Sequence, residues 1–180
     1  MHPYIAAILR LRGRIPLQQV ERIECPVAAF IVGIVCEPAS KKCAPASDSH
    51  GRVSLAYSVA EALYTGSLGR NAYSAESRYD PDILELARKV HHFVDPDYPG
   101  PGCFKGAVKI TLTDGRTFEE IEEYNRGSVE NPMTYAELRA KFDDNAGTFL
   151  SASARDRVAG AVAELERLPD ARVLMDCAGS

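Results

Sequence analysis

Val108-Lys109-Ile110-Thr111-Leu112-Thr113-Asp114-Gly115-Arg116-Thr117 is the stretch on which the fold turns. Val108, Ile110 and Leu112 alternate with Lys109, Thr111 and Thr113, the two-residue period of a strand with one dry face and one wet face. Asp114-Gly115 tolerates positive φ, so the chain is expected to reverse there into a hairpin. The return segment, Thr117 to Tyr124, sets Phe118, Ile121 and Tyr124 three apart among four glutamates. Its broken alternation reads as an edge strand.

Upstream, residues 20 to 35 are rich in Val, Ile and Phe, with Ile23, Cys25 and Val27 followed by Ala28, Phe30, Val32 and Ile34. The change of phase near Pro26 predicts a bulge or an edge strand. Residues 36 to 52 read as the longest loop. Helices are expected at residues 3 to 11, opened by Pro3 and stopped by Gly13, and at 54 to 65, closed by Gly66. Asp80-Pro81 opens another with Ile83, Leu84, Leu86, Ala87 and Val90 on its core face. Thr134 and Glu137 form a capping box flanked by the staple pair Met133 and Leu138, starting a helix that runs to about Asn145. Ser153 is read as the cap of a last helix carrying Val158, Val162, Leu165 and Leu168, ended by Pro169. Strands and helices do not alternate regularly, so the fold class is α+β: helices packed on a mainly antiparallel sheet in a single domain.

Of the 180 residues, 46% are hydrophobic and 26% charged, with a net charge of −4. That composition folds by itself and gives no electrostatic footing for nucleic acid or an anionic membrane. No apolar run reaches the length of a membrane span. The five cysteines, Cys25, Cys36, Cys43, Cys103 and Cys177, lack C-x-x-C or metal spacing and read as reduced thiols of a cytoplasmic protein. The apolar run Ile5, Ala6, Ile8, Leu9 and Leu11 begins almost at the first residue, as if continuing something longer. Deprived of a neighbour, Ile5, Ile8 and Leu9 are expected to form an exposed patch that favours self-association, so a homo-oligomer is an open expectation.

Neither a phosphate loop nor a dinucleotide fingerprint, a G-x-S-x-G elbow or an H-E-x-x-H pair is present, so no cofactor or metal is implied. A small set of polar side chains remains as chemistry. Tyr57 lies about 200° around its helix from the stripe of Leu55, Val59, Ala62 and Leu63, at 100° per residue, and shares its face with Glu61 and Tyr64. A phenol there either packs at an element contact or donates to a developing oxyanion. His2, ahead of the first helix, is either a frayed terminus or an acid, base or anion ligand. Arg52, with Lys41, Lys42, Arg10, Arg12 and Arg14, is either solvated charge or a holder of an anionic substrate. His91 and His92, at a helix exit, face opposite ways if a strand follows.

Gly51-Arg52-Val53-Ser54-Leu55-Ala56-Tyr57-Ser58-Val59-Ala60, with Leu63 and Gly66, resembles the A-K-F-S-L-x-Y-x-V-A…L…G segment of the MmgE/PrpD family. That family includes 2-methylcitrate dehydratase, cis-aconitate decarboxylase and iminodisuccinate epimerase. Asp80 to Val90, Thr111 to Thr117 and Gly127 to Phe142 resemble three further family stretches in the same order. The resemblance implies a carboxy-terminal α+β lid domain, packed in the family on a larger all-helical domain that this sequence does not contain. It implies that Tyr57 falls on the lid tyrosine placed at the substrate, and that His2-Pro3 ends the family's K-P-…-C-…-H-P segment, whose histidine lines the active site. Arg52 and Val53 depart from the family's Lys-Phe; Arg52, which could attract an anionic substrate, is the substrate-binding candidate. The reaction implied is metal-independent: proton abstraction beside a carboxylate of a small polycarboxylate, then loss of water or carbon dioxide. Two functions stay open: the lid of such a lyase, not competent alone, or a non-catalytic remnant that binds a partner.

Overall fold

The computed structural model describes residues 1–69, 71–98, 100 and 104–178. They form two compact units, Met1–Pro132 and the segment from Met133 onward.

In the first unit, α1 (His2–Leu11) begins with proline in its first turn, where the missing N–H costs nothing. β1 (Val20–Val27) follows, then α2 (Ala39–Cys43), α3 (Asp48–Arg52), α4 (Leu55–Thr65), α5 (Ala75–Arg78) and α6 (Pro81–Arg88). β2 (Val90–Val94), β3 (Gly106–Leu112) and β4 (Thr117–Glu122) complete a four-stranded sheet in the order β2-β1-β3-β4. β3 pairs antiparallel with both neighbours, while β1 and β2 run parallel. A parallel pair needs a long crossover, and the α2–α6 segment supplies it. The fold is α+β, as the hairpin signal and the irregular element order imply.

The hairpin forms where Asp114-Gly115 places it, with Gly115 at φ 84°. Val108, Ile110 and Leu112 are buried and Lys109 is exposed. Ile23 of β1 sits between Val90 and Ile110 in a buried cross-strand row. β4 is the edge strand, and it turns Glu122 inward while leaving Ile121 43% exposed, against its hydrophobic pattern. Arg10 of α1 explains the inversion. Its Nε donates to Glu120 at 2.7 Å, its Nη1 to Glu122 and its Nη2 to the Ile121 carbonyl at 3.0 Å. Asn131 Nδ2 adds a bond to Glu122 at 2.7 Å, so the buried carboxylate is fully paired.

Four expectations are corrected here. The strand ends at Val27, and residues 29–36 wind into short 3₁₀ and π turns. β3 pairing stops at Glu24 and β2 pairing at Val27, so the alternating residues beyond have no ladder to join. The bulge falls between Val20 and Arg22 instead of at Pro26, and β1 is central instead of an edge. The segment 36 to 52 holds two single-turn helices, α2 and α3. The patch expected on α1 is also absent there: Ile8 and Leu11 are 0% exposed, and Ile5 and Leu9 are half-buried against the core, because α1 packs on β3, β4 and α4.

The second unit contains α7 (Tyr135–Ala146), α8 (Ala152–Ala163) and α9 (Arg172–Ala178). The Thr134–Glu137 capping box is present in full. Ser151, two residues before the expected Ser153, caps α8 through the Ala154 N–H, and α9 follows Pro169 unforeseen.

Candidate functional site

α4 is set by its ends. Ser54 Oγ accepts the Tyr57 N–H at 3.1 Å and donates to the Lys42 carbonyl, and Gly66 closes the helix in the left-handed region at φ 78°. Residues 55 to 63 are all buried, so α4 is a central helix with no wet face. A tyrosine and a glutamate one turn apart on such a helix must find their surroundings inside the protein.

Tyr57 is 0% exposed. Residues 55 to 63 of α4 are all buried, so facing away from its apolar stripe does not mean facing solvent. Its ring packs on Tyr73 with centroids 5.9 Å apart. Among the described residues its Oη completes no hydrogen bond. Burial first, then Glu61, push the phenol well above its ordinary range, so it stays a neutral donor at physiological pH.

Tyr73 is the hub of the cluster. It holds φ 69° without being glycine, which costs about 1 kcal/mol or more and persists only where its surroundings over-determine it. Its N–H donates to both Glu61 oxygens, at 3.2 and 3.3 Å; its hydroxyl bonds Ser58 Oγ at 3.0 Å; its carbonyl accepts Arg78 Nε at 3.0 Å. The Arg52 guanidinium lies 5.2 Å from its ring centroid and also pairs with Asp48 at 4.0 Å. Gly51 permits the approach: a Cβ there would meet Tyr73 Cδ1 at 2.7 Å. Gly51→Ala is therefore expected to destabilise the chain by about 1–3 kcal/mol through overpacking. Chemical denaturation checks this, and an unchanged midpoint would show the ring free to move.

The structure thus joins Tyr57 and Arg52 through Tyr73. His2 stands elsewhere, exposed at the start of α1. The hollow beside that start is lined by Met1, Pro3, Tyr4, Phe30, Val35 and Tyr98 among others, and by neither Tyr57 nor Arg52. His91 and His92 lie on β2 and differ in exposure, as alternation requires; His92 Nε2 is 3.7 Å from Glu37. Cys25, Cys36, Cys43 and Cys177 are free thiols, and Cys103 lies outside the described residues. Among the described residues no group of three or more His, Cys, Asp or Glu side chains is placed to hold a metal ion, and no helix is long and apolar enough to cross a membrane. Sequence reasoning gave Glu61 no role and passed over Tyr73. The i, i+4 spacing of Tyr57 and Glu61 within an apolar helix was a usable signal for the first; the second carried none.

Enclosed helix, hairpin and edge strand belong to a known domain class. Residues 1–167 match the MmgE/PrpD C-terminal domain, and the chain belongs to that family. It is 31% identical to the cis-aconitate decarboxylase of Mus musculus over 134 residues, 74% of this chain and 26% of that protein. To the cis-aconitate decarboxylase of Homo sapiens it is 28% identical over 131 residues, 72% and 27% of the two chains. The chain therefore spans about a quarter of the length of the curated relatives it matches.

Proposed function

We propose that this chain is the lid of a metal-independent lyase that acts on a small polycarboxylate and turns over only with a helical domain of the family. The observation that carries this assignment is the match of residues 1–167 to the family's C-terminal domain, beside relatives that decarboxylate cis-aconitate. Proton transfer next to a carboxylate, followed by loss of carbon dioxide or water, is the reaction class. Tyr57 is assigned as the neutral donor to the charge that develops on the substrate. Arg52 is assigned to substrate carboxylate binding and His2 to acid, base or ligand duty from α1. Contact between Tyr57 and substrate requires the Tyr73 ring, which covers part of it, to give way.

The test is a hybrid in which this chain replaces the matched quarter of the mouse relative, with that enzyme unaltered as the control. Carbon dioxide release from cis-aconitate and loss of 2-methylcitrate are measured. Turnover of either acid is expected from the hybrid and none from the isolated chain. A folded but inactive hybrid, or turnover by the isolated chain, sinks the assignment. The complete burial of Tyr57 favours a second function, a partner-binding module without catalysis. It predicts that Tyr57→Phe leaves any hybrid activity intact.

A further inference from the structure

Tyr73 has no part in the proposed reaction, yet each of its polar groups is tied down beside Tyr57. Its N–H donates to both Glu61 oxygens at 3.2 and 3.3 Å, its hydroxyl shares a 3.0 Å bond with Ser58 Oγ, and its carbonyl accepts Arg78 Nε at 3.0 Å. Glu61 and Ser58 are 1% and 0% exposed, so two of these anchors lie inside the core. The ring that packs on Tyr57, with centroids 5.9 Å apart, also lies 5.2 Å from the Arg52 guanidinium, the group assigned to a substrate carboxylate. Two features of this arrangement are costs. Tyr73 holds φ 69°, which residues other than glycine avoid, and the Tyr57 hydroxyl is buried without a hydrogen bond among the described residues. Strain of this kind persists only where the surroundings over-determine it, and it gathers at ligand clamps and switches. Withdrawal of Tyr73 relieves the first cost, and an oxygen acceptor brought to Tyr57 relieves the second.

We propose that Tyr73 is a gate: its ring closes over Tyr57 in the free protein and withdraws when a substrate oxygen accepts the Tyr57 hydroxyl. The inference rests on the assignment of Tyr57 to the substrate. Glu61 and Ser58 on α4 and Arg78 on α5 are the latches, and the bare Cα of Gly51 on α3 is the seat of the ring. Tyr73 is a positioning residue that acts through Tyr57 and sets the fraction of molecules able to bind. A closed gate weakens apparent affinity by the fraction that is open and leaves the chemical step alone.

The first arm of the test uses the 180-residue chain and tetranitromethane, with nitration mapped by peptide mass. Tyr79, 68% exposed, reports open reactivity, and Tyr4, 2% exposed, reports an intact core. Tyr73→Gly removes the ring and suits the positive φ; Tyr57 is expected to react roughly tenfold faster or more than in the unaltered chain, with Tyr4 still protected. Tyr73→Phe keeps the ring and removes only the Ser58 bond, and one net hydrogen bond corresponds to a rise of about two- to tenfold. This second variant decides the matter if the first lets Tyr4 react. Tyr57 as protected as in the unaltered chain, beside a protected Tyr4, overturns the gate. The second arm uses the hybrid enzyme. Tyr73→Phe is expected to lower KM for cis-aconitate by about two- to tenfold with kcat little changed, a split that a merely structural tyrosine does not produce. If Tyr57→Phe lowers turnover while Tyr73→Phe leaves KM in place or raises it, the gate fails alone. If Tyr57→Phe leaves turnover intact, the assignment of Tyr57 fails and takes this inference with it.

Discussion

Tyr57→Phe is expected to lower turnover of the hybrid enzyme by about 10²–10⁴-fold, the usual cost of one positioned proton donor, without lowering stability. The separation of the two effects follows from the geometry. The phenolic oxygen is buried and completes no hydrogen bond among the described residues. An unsatisfied buried polar group costs about 1–3 kcal/mol, so exchanging the hydroxyl for hydrogen removes a penalty instead of a bond. The ring and its packing on Tyr73 remain. Thermal unfolding of the variant is expected at the wild-type temperature or slightly above it. A variant that loses stability and keeps its rate would make Tyr57 a structural residue.

Ile8→Ala is expected to cost about 2–5 kcal/mol, the range for deleting a large aliphatic side chain from a closed core. In a chain of this length that corresponds to a fall in Tm of roughly 5–15 °C. Ile8 is 0% exposed on α1, which packs on β3, β4 and α4. Had the apolar run at the start of the chain formed an open patch, the same substitution would be nearly silent. Urea denaturation with an unchanged slope distinguishes the two. A loss below about 0.5 kcal/mol, the size typical of surface changes, would place Ile8 outside the core.

The candidate site divides along similar lines. Tyr57 was legible as the odd residue on an apolar helix, and Arg52 through its place in the family segment. Tyr73 was not, because what makes it a hub is a positive φ and contacts to Gly51, Ser58, Glu61 and Arg78, none of them expressed in its local pattern. Glu61 gave a spacing signal, but spacing alone does not tell a solvated glutamate from a buried one. The difference lies in whether α4 has a wet face, and it has none.

What the sequence determined by itself was whatever depends on neighbours along the chain. The Asp114-Gly115 reversal, the Ser54 and Gly66 ends of α4, the Asp80-Pro81 start of α6 and the Thr134–Glu137 capping box are backbone donors, acceptors and φ preferences satisfied within a few residues. They came out where the residues placed them, apart from the shift of the α8 cap to Ser151. Tertiary structure alone decided which side of each element is dry. β1 stops at Val27 because no partner strand continues beyond it; β4 turns Glu122 inward because Arg10, 112 residues away along the chain, meets it; Tyr57 is enclosed because α4 lies in the middle of its unit. Burial and long-range pairing are properties of the assembled core, and hydrophobic burial is non-directional, so a local pattern specifies that a face is apolar without specifying what will cover it.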